Sequence, residues 1–440
     1  MNLVYGIQDK PKLGQLLIFA FQQVLAILAA TIAVPAIVGN GMSASAALFG
    51  AGVGTLVYQL FTKFKSPVFL GSSFAFIGSM VTAFAGAVSA SAGFAGIIIG
   101  AAFAGLVYVV IAVVVKIAGV KWIDKLMPPV VIGPTVALIG LSLAGAAIKD
   151  VFSYGPQDAN GSFIMTAPIW ASLVCALVTL FVVIVVSVYG KKLTKLIPFI
   201  IGILAGYAVA AIFTVCGIPV IDFSLFQNMS IFAVPEFTFL EGLQGVKEID
   251  GSYLATVAVA YVPVAFVVFT EHIADHKNLS SIIDVNLLEE PGLHRTLLGD
   301  GVGSFVGAIF GGCPNTTYGE SVGCVAITRN ASVITITVAA LMSIVISFFG
   351  PFVAFLDSIP GCVMGGVCVT LYGFIAVSGL KMIQKVDLGQ NKNLFVVASI
   401  LIPGIGGMAM AIGKVTLTAI ACALILGILV NLVVSKAKDE

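Results

Sequence analysis

A chain of 440 residues that is 60% hydrophobic and only 9% charged cannot present a soluble surface, because soluble domains carry about 25% charged residues. Its formal net charge of +1, without any basic run, excludes a polyanionic partner such as nucleic acid. A mean hydropathy of +1.14 makes it a helical, polytopic membrane protein.

The N-terminal stretch Met1–Gln15 lacks the layout of a cleaved signal, so the first apolar segment is expected to be retained as an anchor. Runs long enough to cross about 30 Å of hydrocarbon are predicted near 14–38, 43–61, 67–87, 93–115, 128–148, 168–189, 196–216, 253–276, 296–312, 314–328, 332–356, 360–380, 393–412 and 415–435. That makes fourteen crossings. The third and tenth are short, rich in Gly and Ser/Thr, and start extended. If all fourteen cross and the N-terminus is cytoplasmic, eighteen of the twenty-one basic residues fall inside and only Lys149, Lys247 and Lys414 fall outside. This asymmetry obeys the positive-inside rule and places both ends in the cytoplasm. Dropping or merging one crossing would scramble it.

An internal echo accompanies the count. Gly133-Pro-Thr-Val-Ala-Leu-Ile-Gly140 matches Gly366-Val-Cys-Val-Thr-Leu-Tyr-Gly373 at an offset of 233 residues, each soon after a proline. The broken segments near Ser72 and Gly319 lie a similar distance apart. Two repeats of seven crossings must be oppositely oriented. Inverted repeats with paired broken segments are the pattern of a secondary transporter with a midplane site; chance likeness between Gly-rich helices is the bland alternative.

The tenth segment carries the strongest anomaly. Gly311-Gly-Cys-Pro-Asn-Thr-Thr-Tyr-Gly-Glu-Ser-Val-Gly323 combines a proline, glycines, hydroxyls and a carboxylate between apolar runs. Such a stretch is tolerated at membrane depth only where protein or a water-filled cavity surrounds it. Among the twenty acids, Glu271, Asp275 and Glu320 stand apart from loops, segment ends and tails. Glu271 and Asp275 share a helix face at i, i+4 spacing. Asp300 is expected at the cytoplasmic end of its segment, His276 as a polar residue on the cytoplasmic side, and His294 as solvated, while His272 stays open. The seven cysteines sit in or beside apolar stretches without a C-x-x-C pair and read as small buried hydrophobes. Three scattered histidines give no metal-ligand cluster, so neither a metal nor an organic cofactor is expected. An intramembrane enzyme has no support, for want of a nucleophile–base pair.

The stretch Pro67–Phe76 mirrors the tenth segment: an extended run, then small residues, then a helix. Helix starts there would offer free N–H groups from Phe74 and Gly319. Phe74 either stacks on a flat ring or is simply core. Two carboxylate acceptors, two sets of backbone donors and an aromatic face suit a small planar ligand with N–H and C=O groups, such as a nucleobase. Buried carboxylates also suit proton coupling, with the proton as coupling ion.

The run Asn315-Thr-Thr-Tyr-Gly-Glu-Ser-Val-Gly323-Cys-Val-Ala-Ile-Thr-Arg329 resembles the signature of the nucleobase–ascorbate transporters, or uracil/xanthine permeases. Glu271-His272, Gly71-Ser-Ser-Phe-Ala-Phe76 and Pro291-Gly-Leu-His-Arg295 resemble further motifs of that family. The resemblance covers essentially the whole chain and is nearest to the bacterial uracil:proton symporter branch. It implies an all-α membrane fold of fourteen segments in two inverted repeats, with short antiparallel strands in segments 3 and 10. It also implies a core domain (1–127 and 251–357), a gate domain (128–250 and 358–440) and a homodimer through the gate domains. Carried over by position, Glu271, Glu320, Phe74, Gly319 and Ala30 would bind substrate, and Glu271 and Asp275 would couple protons. Gln23, Ser73, Thr317, Tyr318 and Ser321 would support them. Three departures bear on coupling rather than substrate: Asp275 stands where the branch has His, Gln22-Gln23 where members often have Gln-His, and Ser321 where Asn is usual. The expected function is proton-coupled uptake of uracil across the cytoplasmic membrane. Alternatives are a purine, xanthine or urate transporter, or an anion exchanger of the same fold.

Overall fold

The computed structural model describes residues 3–119, 122, 128–191, 194–227, 229–412 and 415–435. Lys121, Lys125, Lys192, Lys414, Lys436 and Lys438, used above to weigh orientation, lie outside the described residues.

The fold is mostly helical. Among the described residues, eight helices are long and apolar enough to cross a membrane: Leu13–Val38, Ala44–Phe61, Ala90–Ala118, Pro129–Val151, Ala167–Tyr189, Pro198–Val215, Gly251–Ile283 and Gly361–Ile383. Shorter apolar helices cover Phe74–Gly86, Val333–Ile346, Asn391–Ile405 and Ala419–Val434. Many large apolar side chains point outward, among them Leu106, Val110, Phe181 and Val185. A patch of this kind is incompatible with water and natural against lipid. The chain is an integral membrane protein.

Helix starts follow from short polar side chains. Ser43, Ser89, Asp250 and Thr418 accept hydrogen bonds from the backbone N–H of Ala46, Ala92, Tyr253 and Ala421, satisfying donors that a helix start leaves free. Close helix packing follows from glycine, because lipid gives helices no hydrophobic reason to associate and small residues let backbones meet. The helices Ala44–Phe61 and Ala90–Ala118 both pack on Leu293–Gly311. A Cβ at Gly50 would lie 2.5 Å from the Gly307 carbonyl oxygen, and one at Gly105 would lie 2.8 Å from that of Gly301. The two echoing segments meet in the same way. Pro129–Ser142 packs on Gly361–Ile383, where a Cβ at Gly140 would lie 2.5 Å from the Tyr372 carbonyl oxygen.

The two broken segments also meet. Strand β1 (Leu70–Ser72) pairs antiparallel with β2 (Asn315–Thr317) in the register Leu70–Thr317, Gly71–Thr316, Ser72–Asn315. The ladder extends at both ends, Ser73 N–H donating to the Pro314 carbonyl at 2.9 Å and Tyr318 N–H to that of Phe69 at 3.3 Å. Nearby side chains occupy further backbone groups. Asn315 Nδ2 donates to the Gly50 carbonyl at 3.0 Å, Leu70 N–H to Thr55 Oγ1 at 2.9 Å, and Phe69 N–H to Ser321 Oγ at 3.2 Å. Irregular backbone here is therefore enclosed by protein, as membrane depth requires. A 3₁₀ turn, Phe74–Phe76, leads into the helix Ile77–Gly86, and β2 leads into Gly319–Thr328. At one end of the bundle the ammonium of Lys65 pairs with Glu290, holding that carboxyl below its usual range.

Candidate functional site

The two strand-to-helix breaks open onto a cavity of about 450 Å³, within the range of small-molecule sites. Ser73, Phe74 and Ala75 border it after β1, and Thr316, Thr317, Tyr318, Gly319 and Glu320 around β2. The helix Gly251–Ile283 adds Thr270, Glu271, Ala274 and Asp275 from one face, as the i, i+4 spacing of the two acids requires. Three carboxylates thus face one cavity, and no lysine, arginine or histidine lines it among the described residues.

Several groups are poised for a ligand. The first N–H groups of a helix have no acceptor within it, and Gly319 is the first residue of its helix. Ser73 Oγ and Thr316 Oγ1 are buried without a hydrogen-bond partner among the described residues, which is costly unless something visits them. Asp275 is held differently: its Oδ2 accepts from Thr317 Oγ1 at 2.9 Å. Tyr318 braces the strands, its hydroxyl donating to the Ser72 carbonyl at 2.6 Å. Its ring lies against Gly71, where a Cβ would come within 2.5 Å of it; only glycine fits at that point of β1.

Glu271, Glu320, Phe74, Gly319, Asp275, Ser73, Thr317 and Tyr318 therefore come together at the cavity, as the sequence suggested. Ala30, Gln23 and Ser321 do not border it. Ala30 is 2% exposed, and its methyl packs in the apolar cluster that also takes in Phe69 and Tyr318. Gln23 and Ser321 are tied to each other and to the strand, Gln23 Nε2 donating to the Ser321 carbonyl at 3.5 Å.

The remaining cavity wall comes from residues that the sequence did not single out for a site: Val136, Ile139, Phe199, Leu371, Phe374, Ile375, Ser378 and Met382. The echo of Gly133–Gly140 in Gly366–Gly373 marked two of the three helices concerned, but nothing in a largely apolar helix says which of its faces meets a cavity. Two edge-to-face pairs, Phe74–Tyr372 and Phe199–Phe374, with ring centroids 6.2 and 6.1 Å apart, make part of this surface aromatic.

Two expectations need correction. Asp300 is not an end residue but fully buried, with His272 Nδ1 2.7 Å from its Oδ2. His276, expected as a polar residue on the cytoplasmic side, is no surface residue. It is fully buried, Nε2 lies 2.7 Å from the Tyr58 hydroxyl, and Nδ1 lies 2.8 Å from the His272 carbonyl. His272, left open, is buried as well, with Nε2 2.9 Å from Thr296 Oγ1. The helix Gly251–Ile283 runs two turns beyond the predicted segment end, and this keeps His276 inside. Gly299 and Gly301 flank Asp300 and admit Tyr58 and Tyr108 against its helix, sealing the carboxylate from water.

Comparison with known proteins gives the family. The family model Xan_ur_permease, described as "Permease family", matches residues 14–413. The uracil permease of Bacillus caldolyticus is 39% identical over 433 residues, covering 98% of this chain and 94% of the relative. That of Bacillus subtilis (strain 168) is 38% identical, covering 99% and 96%, and that of Escherichia coli (strain K12) is 33% identical, covering 97% and 93%. Among solved structures, the transmembrane domain of the cyanobacterial bicarbonate transporter BicA superposes with a TM-score of 0.67 at 16% identity, covering 98% of this chain and all of that one. The murine anion transporter Slc26a9 in its inward-facing state gives 0.67 at 13% identity, covering 97% and 69%. These structural likenesses concern the fold alone. With a family model across most of its length and relatives above 30% identity over nearly all of it, the chain belongs to this permease family.

Proposed function

We propose that the protein takes up uracil across the cytoplasmic membrane by proton-coupled alternating access. The observation that carries this reading is that Glu271 and Glu320 face one cavity lined by no cation. Uracil has two ring N–H donors and two carbonyl acceptors. Glu271 and Glu320 would accept from the N–H groups, and the backbone N–H groups at Phe74 and Gly319 would face the carbonyls. Phe74 would lie on the ring, and Glu271 and Asp275 would exchange the coupling proton. The relatives named uracil permeases, nearly full-length, support the substrate class.

In the same reading fourteen segments cross, with both ends in the cytoplasm. Residues 1–127 and 251–357 form a core that carries the strands, and 128–250 and 358–440 form a gate. The helix packing supports this division, since Leu293–Gly311 joins the helices Ala44–Phe61 and Ala90–Ala118 while Gly361–Ile383 joins Pro129–Ser142 and Ala167–Tyr189. Two copies would associate through their gates. A purine, xanthine or urate substrate is the second reading, since such bases present the same donor–acceptor edge. The likeness in fold to anion transporters does not extend to the site, where three carboxylates would repel an anion.

Uptake of labelled uracil into proteoliposomes under an inward proton gradient tests the proposal. Gradient-dependent accumulation that excess xanthine does not inhibit supports it; inhibition by xanthine would move the substrate class, and no accumulation would end it.

A further inference from the structure

Behind the cavity, and lining no part of it, lies a second cluster of buried proton-bearing groups. Asp300 and His272 are fully buried and 2.7 Å apart. Among the described residues, the buried polar ones include no lysine or arginine. The groups around the pair are Tyr58 from Ala44–Phe61, Tyr108 from Ala90–Ala118, and Glu271, Asp275 and His276 from the helix of His272 itself; Glu320 faces the cavity beyond. An ionised Asp300 would have the His272 imidazole as its one hydrogen-bond partner among the described residues, its Oδ1 having none. Burying a charge in that way is expensive.

Thr296 gives the pair a second state. Its Oγ1 lies 2.9 Å from His272 Nε2 and 3.1 Å from the Leu293 carbonyl oxygen. A hydroxyl has one hydrogen, so it donates to one of these at a time. If it donates to Nε2, that nitrogen is bare, the imidazole's single proton sits on Nδ1 facing Asp300, and the cluster carries one negative charge. If it donates to the Leu293 carbonyl, Thr296 accepts an Nε2–H. The Nδ1–Oδ2 contact still holds its one proton, as imidazolium with carboxylate or imidazole with carboxylic acid, so the cluster has gained one proton, the Nε2–H, and is neutral. The two states differ by one proton and one hydroxyl rotation, and each satisfies both contacts of the imidazole.

We propose that His272, Asp300 and Thr296 form a proton-binding site of the transport cycle, distinct from the carboxylates in the cavity. A proton enters the pair, the Thr296 hydroxyl turns from the imidazole to the Leu293 carbonyl, and the charge beside Glu271 falls from minus one to zero. Loading the pair thus favours negative charge on the adjacent cavity carboxylates, the form that accepts N–H donors. This rests on the proton-coupled reading above, and the test separates the two.

Wild type and Asp300→Asn are compared in proteoliposomes, using labelled uracil in counterflow, which needs no net proton movement, and in uptake driven by a proton gradient. The expected result is that Asp300→Asn keeps counterflow within about threefold of wild type and loses gradient-driven accumulation about tenfold or more. A gradient-driven wild type beside an Asp300→Asn protein that accumulates equally overturns the pair alone. A wild type that accumulates uracil equally with and without the gradient overturns the proton-coupled reading, and the pair with it. If Asp300→Asn loses both activities, Thr296→Val decides, because it removes the rotating hydroxyl at nearly constant volume. Its uptake–pH profile is expected to move toward lower pH by about half a unit or more, since the loaded pair's Nε2–H then has no acceptor. A profile superimposable on wild type overturns the proposal.

Discussion

The two walls of the cavity are built on opposite principles. The wall formed by β1, β2 and the helix Gly251–Ile283 concentrates Glu271, Asp275 and Glu320, the helix start at Gly319 and two hydroxyls unpartnered among the described residues. Its irregular backbone is held in place by Tyr318, Asn315, Thr55 and Ser321. The other wall, from Pro129–Ser142, Pro198–Val215 and Gly361–Ile383, offers Val136, Ile139, Phe199, Leu371, Phe374, Ile375 and Met382, with Ser378 as its one hydroxyl among the described residues. The first wall has the groups to recognise a ligand by hydrogen bonds, and it must be rigid to keep them aimed. The second can only cover a ligand. It makes few directional demands, so under the proposed alternating access it could shift against a ligand without breaking hydrogen bonds.

This contrast can be broken from either side. Replacing a recognising carboxylate should do the most damage. Glu320→Ala and Glu271→Ala each remove a charge-assisted hydrogen bond of about 2–3 kcal/mol, so uracil uptake should fall about 30- to 150-fold. The check is initial rates in proteoliposomes at matched protein density. Next comes the scaffold of the same wall. Gly71→Val would drive a side chain into the Tyr318 ring, 2.5 Å from a Cβ, at about 1–3 kcal/mol or more. Substrate-induced stabilisation should be lost in thermal unfolding even where the protein still inserts. Tyr318→Phe deletes the hydroxyl and with it the bond to the Ser72 carbonyl, worth about 1 kcal/mol, and should weaken uracil binding about fivefold. The covering wall should respond least. Ser378→Ala and Ile139→Ala are expected to change the apparent KM about threefold or less, because they alter contact area and no obligatory hydrogen bond. Should Ser378→Ala prove as damaging as Glu320→Ala, the division of labour between the walls fails.

The same contrast governs what could be read from the sequence. The recognising wall was legible because each of its parts is anomalous at membrane depth: Pro314, the Gly-rich turns, and carboxylates in apolar runs. Physical chemistry forbids such residues against lipid, so their presence implies a cavity. The covering wall was illegible because Val136 or Leu371 looks the same against lipid, core or ligand. Asp300, His272 and His276 were misplaced or left open for a third reason. Their burial depends on the length of Gly251–Ile283 and on the close approach that Gly299 and Gly301 allow. Segment boundaries good to a few residues cannot resolve either. Ala30 was carried over by resemblance alone, and its position in the apolar cluster beside Tyr318 shows that such a transfer places a residue near a site without placing it on the surface of that site.

The central claim is that Glu271 and Glu320 hold the substrate between them. Equilibrium binding of labelled uracil to the purified protein, wild type against Glu271→Ala and Glu320→Ala, tests it without any dependence on proton coupling or conformational cycling. Binding by the wild type, with each alanine variant weakened about 30-fold or more at unchanged thermal stability, is the predicted result. Binding of wild-type strength by the Glu320→Ala protein would contradict the account.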